Sequence, residues 1–210
     1  MRDQLRDFDV VAARWDHEPR RVQLAREVVN TVLREVQPQP DMRVLDFGCG
    51  TGLVSLALAP LVSELVAVDS SQGMLEQFAR KCSTSGLLNV VTMLCNHDVV
   101  AALPGPFDLV VSSMTMHHIH DVPGILRSFR TVMRPGSQLC IADLEEEDGR
   151  FHDDPTGIQH NGFAVNTMEA WFRQAGLGAI RTVRASSVTK DHDGRPVEYP
   201  VNLTVGVLED

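Results

Sequence analysis

The chain has 210 residues, of which 43% are hydrophobic and 22% charged, proportions that fit a globular domain and exclude a disordered or fibrous chain. Its formal charge of −9, densest over Asp143-Leu144-Glu145-Glu146-Glu147-Asp148, points away from a nucleic-acid partner and toward a small-molecule or protein substrate. No apolar run is long enough to cross a bilayer, and Met1-Arg2-Asp3-Gln4-Leu5-Arg6-Asp7 is too charged for a signal peptide, so a cytoplasmic protein with no membrane partner is expected.

At this length one domain over 1–210 with a sizeable core is expected. Behind Pro19, a residue suited to a first helical turn, Val22, Ala25, Val28 or Val29, Val32 and Val36 recur at helical spacing. Gln37-Pro38-Gln39-Pro40 breaks this helix, and a strand starts near Met42. The strand runs into Val44-Leu45-Asp46-Phe47-Gly48-Cys49-Gly50-Thr51-Gly52, where glycines alternate just past a carboxylate. Such a turn adopts backbone angles that side chains forbid and lets a ligand approach its amides. A dinucleotide fingerprint, G-x-G-x-x-G, would carry its third glycine one place later, at Leu53.

The arrangement Asp46-x-Gly48-x-Gly50-x-Gly52 instead resembles the first motif of class I S-adenosylmethionine-dependent methyltransferases. The resemblance implies that the turn Gly48-Cys49-Gly50 packs against the amino-acid end of that cofactor. It also implies that residues 1–37, with Trp15 and the helix behind it, form an N-terminal cap over the cofactor. Trp15 packing a core edge is the alternative.

Pro60 ends a short helix after the turn, and Glu64-Leu65-Val66-Ala67-Val68-Asp69 is a second buried strand closing on a carboxylate. Neighbouring parallel strands end side by side, so Asp46 and Asp69 face one crevice, where a carboxylate can accept hydrogen bonds from two vicinal hydroxyls. By the resemblance Asp69 holds the ribose, Ser70 beside it belongs to the cofactor site and Met74 packs near the adenine; a plain N-cap for the helix from Ser71 to Cys82 is the alternative. Val90-Val91-Thr92-Met93-Leu94 is the third strand, leading to Asn96-His97-Asp98-Val99, where the family places Asp98 and the Val99 amide against the adenine.

Asp108-Leu109-Val110-Val111-Ser112-Ser113 reads as the fourth strand, and the passage on to Met114-Thr115-Met116-His117-His118-Ile119 resembles the family's fourth motif. That match implies Ser112 beside the methionine portion of the cofactor and His117 near the reacting face. Asp121 and Pro123 open a helix stopped by Arg134-Pro135-Gly136, and Gln138-Leu139-Cys140-Ile141-Ala142-Asp143 is the fifth strand. Residues 145–165 have little regular pattern and follow a parallel strand on its ligand side, so they read as a substrate loop. Asn166-Thr167-Met168-Glu169 resembles a helix capping box. Strands near Ile180 to Ala185 and Val201 to Leu208, split by Asp193-Gly194, form an antiparallel hairpin. The fold expected is α/β, a doubly wound Rossmann-like seven-stranded sheet, mostly parallel with an antiparallel last strand.

Cys49, Cys82, Cys95 and Cys140 lack C-x-x-C pairing and read as small buried residues of a reducing compartment. The resemblance implies methyl transfer from S-adenosyl-L-methionine, with S-adenosyl-L-homocysteine as product. If the acceptor arrives protonated, His117, His118 and His160 are the candidate bases, because imidazole titrates near neutrality. No metal site is expected, since no cluster shows ligand spacing. A protein or RNA methyltransferase, an NAD(P)-dependent oxidoreductase and a non-catalytic cofactor-binding protein stay open as alternatives, and acceptor and oligomeric state are not readable.

Overall fold

Short apolar runs become the parallel strands, four of them carrying Asp or Ser at the last or next-to-last position. The structure, a computed structural model, describes residues 7–95 and 97–210, residues 97–99 by their backbone alone. Strands β1 (Arg43–Phe47), β2 (Glu64–Asp69), β3 (Val90–Leu94), β4 (Phe107–Ser113) and β5 (Met133–Leu144) pair in parallel, and β6 (Leu177–His192) and β7 (Arg195–Leu208) form a hairpin. They make a seven-stranded sheet in the order β3-β2-β1-β4-β5-β7-β6. The last strand is antiparallel to both neighbours, as expected, and it lies inside the sheet while β6 takes the edge.

Both faces of β1, β2 and β4 are buried, which is why they read as continuous apolar runs and not as alternating ones, whereas the edge strand β3 leaves Val91 and Leu94 exposed. Val44, Leu65, Ala67, Leu109 and Val111 share a core with helices α2 (Pro19–Val36) and α4 (Gln72–Thr84). Leu45, Phe47, Val66, Val68 and Val110 share the other with α5 (Val122–Thr131) and α6 (Val165–Gln174). Two short helices, α1 (Phe8–Ala12) and α3 (Ser55–Leu58), complete the α elements among the described residues. The chain travels outward from β1 to β3 and then returns to place β4 beside β1. That reversal opens a crevice at the carboxyl ends of the strands, where doubly wound sheets bind ligands.

Three local expectations are corrected. The hairpin strands run 16 and 14 residues to the Asp193-Gly194 turn, whose two positive φ values, 56° and 78°, suit a two-residue connection. Only Val201–Val207 pairs with β5, so the outer hairpin is a two-stranded arm that meets the core through Tyr199 and the partly buried Val188 and Val197. The capping box at Asn166 does not form. Helix α6 starts at Val165, and the Glu169 carboxylate is drawn to Arg173 and the Thr182 hydroxyl instead. Finally, β5 starts at Met133, which pairs with Phe107, so Arg134-Pro135-Gly136 belongs to the strand.

Gly52 fixes how α4 sits against the turn: its φ is +81°, and an added Cβ would lie 2.0 Å from the Phe78 ring, which is fully buried. Gly52→Ala should therefore destabilise the fold by roughly 2–5 kcal/mol, combining overpacking with a left-handed backbone. Urea unfolding checks this; a change below about 0.5 kcal/mol contradicts it.

Candidate functional site

A cavity of about 730 Å³ lies over the carboxyl ends of β1, β2 and β4. Asp46, Gly48, Cys49, Gly50, Asp69, Ser70 and Met74 line its inner part; Phe8, Trp15, His117, His118, Phe151, His152, Val188 and Lys190 are among the residues lining the remainder.

The glycine turn is anchored inward. The amides of Gly48 and Cys49 both donate to the Val68 carbonyl, at 2.9 and 3.0 Å, and the Gly50 amide donates to Asp69 Oδ2 at 2.7 Å. The expectation that the ligand approaches these N–H groups is thus corrected, because all three have partners on the β2 side. What the turn offers is close approach of bare backbone: Gly50 (φ +54°) has open space where a Cβ would point. This differs from a phosphate cradle, whose amides face the ligand.

Two carboxylates sit beside the turn. Asp46 is 1% exposed and accepts the Ser55 hydroxyl at 2.5 Å. Burial, reinforced by the nearby Asp69 charge and opposed by Ser55, pushes its carboxyl up to about 7. Asp69 is raised by burial and held back by the backbone amides of Ser71, Gly50 and Ser70. Its Oδ1 accepts the Ser71 amide at 2.9 Å, which leaves lone pairs on both oxygens for further donors. Burial raises the Cys49 thiol well above its usual range, so it stays a neutral apolar wall.

Another wall of the cavity is built on the short 3₁₀ turn Met116–His118 that follows β4. His117 Nδ1 lies 2.7 Å from Asp143 Oδ1, and the His117 amide donates to Asp143 Oδ2 at 3.3 Å; both side chains are 2% exposed. Burial would raise Asp143, but His117 and the Leu144 amide hold it below the usual carboxylate range. The His117 carbonyl accepts the Gln159 and His160 amides at 2.9 and 3.2 Å, which ties the 145–165 segment to this turn. His118 Nδ1 donates to the Gly157 carbonyl at 2.9 Å.

The N-terminal segment is held across the cavity by two more carboxylates. Asp9 accepts the Ser71 hydroxyl and the Gly73 amide, at 2.5 and 2.7 Å. Asp16 accepts the Thr51 hydroxyl and pairs with Lys81, each at 2.6 Å. Between them Phe8 packs edge-on against Trp15 and His118, with ring centroids 5.9 and 5.2 Å apart. On the far side Lys190, from the hairpin arm, donates to the Phe151 carbonyl and to Asp153.

A family described as "Methyltransferase domain" matches residues 17–187. The chain belongs to the class I S-adenosylmethionine-dependent methyltransferase family. An uncharacterized methyltransferase of Schizosaccharomyces pombe is 30% identical over 159 residues, covering 68% of this chain and 55% of the relative. A ubiquinone biosynthesis O-methyltransferase of Xanthomonas euvesicatoria is 28% identical over 148 residues, covering 64% of this chain and 62% of the relative. The chain thus spans about 55% and 62% of these two curated relatives. Haemonchus contortus phosphoethanolamine N-methyltransferase 2, solved with phosphomonomethylethanolamine and S-adenosylhomocysteine, shares the fold at a TM-score of 0.69 and 15% identity, over 88% of this chain and 53% of that one.

Within this methyltransferase chain, the expected residues Asp46, Gly48, Cys49, Gly50, Asp69, Ser70, Met74, His117 and His118 all line the one cavity. Ser112 does not: it is fully buried and its hydroxyl donates to the Phe47 carbonyl at 2.7 Å, stitching β4 to β1. His160 is turned away, its Nε2 donating to the Ile119 carbonyl at 2.9 Å, and it is absent from the cavity lining. The side chains of Asp98 and Val99 lie outside the described residues. The partnership of Asp143 with His117 escaped the sequence reading, although Asp143 stands one residue before its strand's end, as Asp46 does, and Asp69 closes its own. Among the described residues no group of three or more His, Cys, Asp and Glu is arranged to hold a metal ion.

The raised Asp46 carboxyl has a consequence for the methyltransferase's stability. The folded state keeps a proton that the unfolded chain loses near pH 3.9, so this contribution is intact below about pH 4 and is lost as pH rises to about 7. Asp46→Asn carries no such proton. Its stability relative to the unmodified protein should grow by roughly 2–4 kcal/mol between about pH 4 and pH 8. Urea titrations at the two pH values check this; a pH-independent difference contradicts it.

Proposed function

We propose that this chain transfers the methyl group of S-adenosylmethionine to a small-molecule acceptor bound in the same cavity, releasing S-adenosylhomocysteine. One observation carries the reading: the inner cavity sets a buried carboxylate, Asp46, and a partly buried one, Asp69, beside a glycine turn whose amides are already bonded. Such a floor favours a cationic nucleoside and repels the pyrophosphate of a nicotinamide dinucleotide. Asp69 and Ser70 would hold the ribose, Met74 the adenine, and the Gly48–Gly50 turn the methionine portion. S-adenosylmethionine, when bound, supplies a methyl carbon already activated by its sulfonium.

The chain's own part is binding, alignment and exclusion of water, and alignment alone can be worth roughly 7 to 11 kcal/mol of the barrier. Of the segment 1–37, residues 7–37 act as the cap, with Asp9 and Asp16 as its fastenings and Phe8 and Trp15 over the opening, and residues 1–6 lie outside the described residues. Residues 145–165 act as the acceptor loop, steadied by Lys190. The single domain 1–210 is then one catalytic unit. The small-molecule acceptor is supported by the concave cavity and by the acceptors in the names of the Xanthomonas and Haemonchus proteins.

A thermal-shift comparison tests this. S-adenosylhomocysteine should raise the melting temperature while NAD and NADP should not; the reverse outcome overturns the reading. By calorimetry Asp69→Ala should weaken S-adenosylhomocysteine binding by about 1–3 kcal/mol, the range for a hydroxyl pair losing a buried partner. Unchanged affinity removes Asp69 from the ribose role.

A further inference from the structure

We infer that His117, positioned by Asp143, is the general base of the reaction and that the acceptor is an aromatic hydroxyl. The inference rests on the methyltransferase reading and adds the acceptor atom to it. Nearly every polar atom of His117 is committed: Nδ1 and the backbone amide face Asp143, and the carbonyl accepts from Gln159 and His160. Nε2 alone has no hydrogen bond to a described residue, and His117 lines the cavity. A carboxylate that accepts the Nδ1 proton fixes the tautomer with its lone pair on Nε2, and it stabilises the imidazolium once that lone pair takes a proton.

The other two candidate histidines are placed differently. His118 Nδ1 donates to the Gly157 carbonyl, a neutral acceptor, and His160 donates through Nε2 outside the cavity. The titratable groups that the structure sets against the His117 ring are Asp143 on β5, His118 on the same turn and His152 on the following loop, the two rings centred 4.3 and 4.9 Å away.

A buried, carboxylate-backed imidazole has a role only where the acceptor must lose a proton. The hydroxyl oxygen bonds to the methyl carbon as the carbon–sulfur bond breaks, with that electron pair staying on sulfur. The hydroxyl proton passes to His117 Nε2 and later to solvent. The acceptor's surroundings are rings: Phe8, Trp15 and His118 meet on one side, and Phe151 and His152 pack at 4.8 Å on the other. Flat aromatic walls fit a flat acceptor. A phenolic hydroxyl, which ionises near pH 10, is also within reach of an imidazole base as an aliphatic alcohol is not.

The test uses the full chain with labelled S-adenosylmethionine and four probes: phenol, catechol, 3,4-dihydroxybenzoate and N,N-dimethylaniline, the last an aromatic acceptor with no proton to lose. At least one phenol should be methylated. His117→Ala and His117→Gln should lower kcat at pH 7 by about 10²-fold or more, and the deficit should shrink as pH rises toward the phenol's own ionisation. Asp143→Asn should lower it by roughly tenfold or more while S-adenosylhomocysteine still binds by calorimetry. Independently of turnover, ¹⁵N NMR of the ligand-free protein should show His117 protonated on Nδ1, with that preference lost in Asp143→Asn. The inference is overturned by transfer to dimethylaniline and no phenol, by no transfer from a protein that binds S-adenosylhomocysteine, by a deficit constant with pH, or by an Nε2-protonated His117. A wild-type protein that fails to bind S-adenosylhomocysteine overturns the methyltransferase reading itself.

Discussion

Burying carboxylates at the converging ends of parallel strands is the constraint on which the rest of the structure depends. Asp46 and Asp69 stand on adjacent strands whose register sets Phe47 opposite Val68, so the two charges meet at one crevice beside one turn. Each needs donors, and the turn provides them: Gly50 gives its amide to Asp69, and Ser55 gives its hydroxyl to Asp46. The turn must be glycine-rich because it folds back onto β2 for this purpose, with Gly48 against Thr115 and Gly52 against Phe78. A negative floor and a turn without outward amides arise from the same set of bonds.

The third buried carboxylate, Asp143, does for the opposite side what Asp69 does for the turn. It takes the ring and amide of His117 and the amide of Leu144, and thereby fixes the start of the 145–165 segment relative to the 3₁₀ turn. The segment returns the contact through the amides of Gln159 and His160, and the Glu145–Phe163 bridge closes it at its base. The hairpin arm, overhanging the sheet, then brings Lys190 and Val188 to the cavity. Electrostatics at three strand ends thus organises both the inner and the outer parts of one pocket.

Much of this was legible in the sequence where the signal was local. The strand runs ending on Asp46 and Asp69, the alternating glycines, the Pro19 helix start and the Asp121 N-cap all appear where their residues indicate. The sequence could not show which way hydrogen bonds point. The turn amides, the Ser112 hydroxyl and His160 Nε2 face backbone carbonyls or a carboxylate from elsewhere in the chain, and only the assembled sheet decides that. The hairpin arm was read short because its contact with the core is carried by only a few apolar residues, Tyr199, Val188 and Val197, set among polar ones. The Asn166 box failed because Glu169 had better partners in Arg173 and Thr182, which are distant or later in the chain. Asp9 and Asp16 carry no local signal, because their partners Ser71, Gly73, Thr51 and Lys81 lie far along the chain.

The account turns on a carboxylate floor that is partly protonated when empty and draws a cation when ligand arrives. Calorimetry of S-adenosylmethionine binding from about pH 6 to 7.5, below the range near 7.7–8.0 where an α-amino group titrates, tests this directly. The account predicts that affinity rises with pH, that protons are released to the buffer on binding, and that both effects disappear in Asp46→Asn. An affinity that is flat or falling over this range, with no proton release, would contradict it.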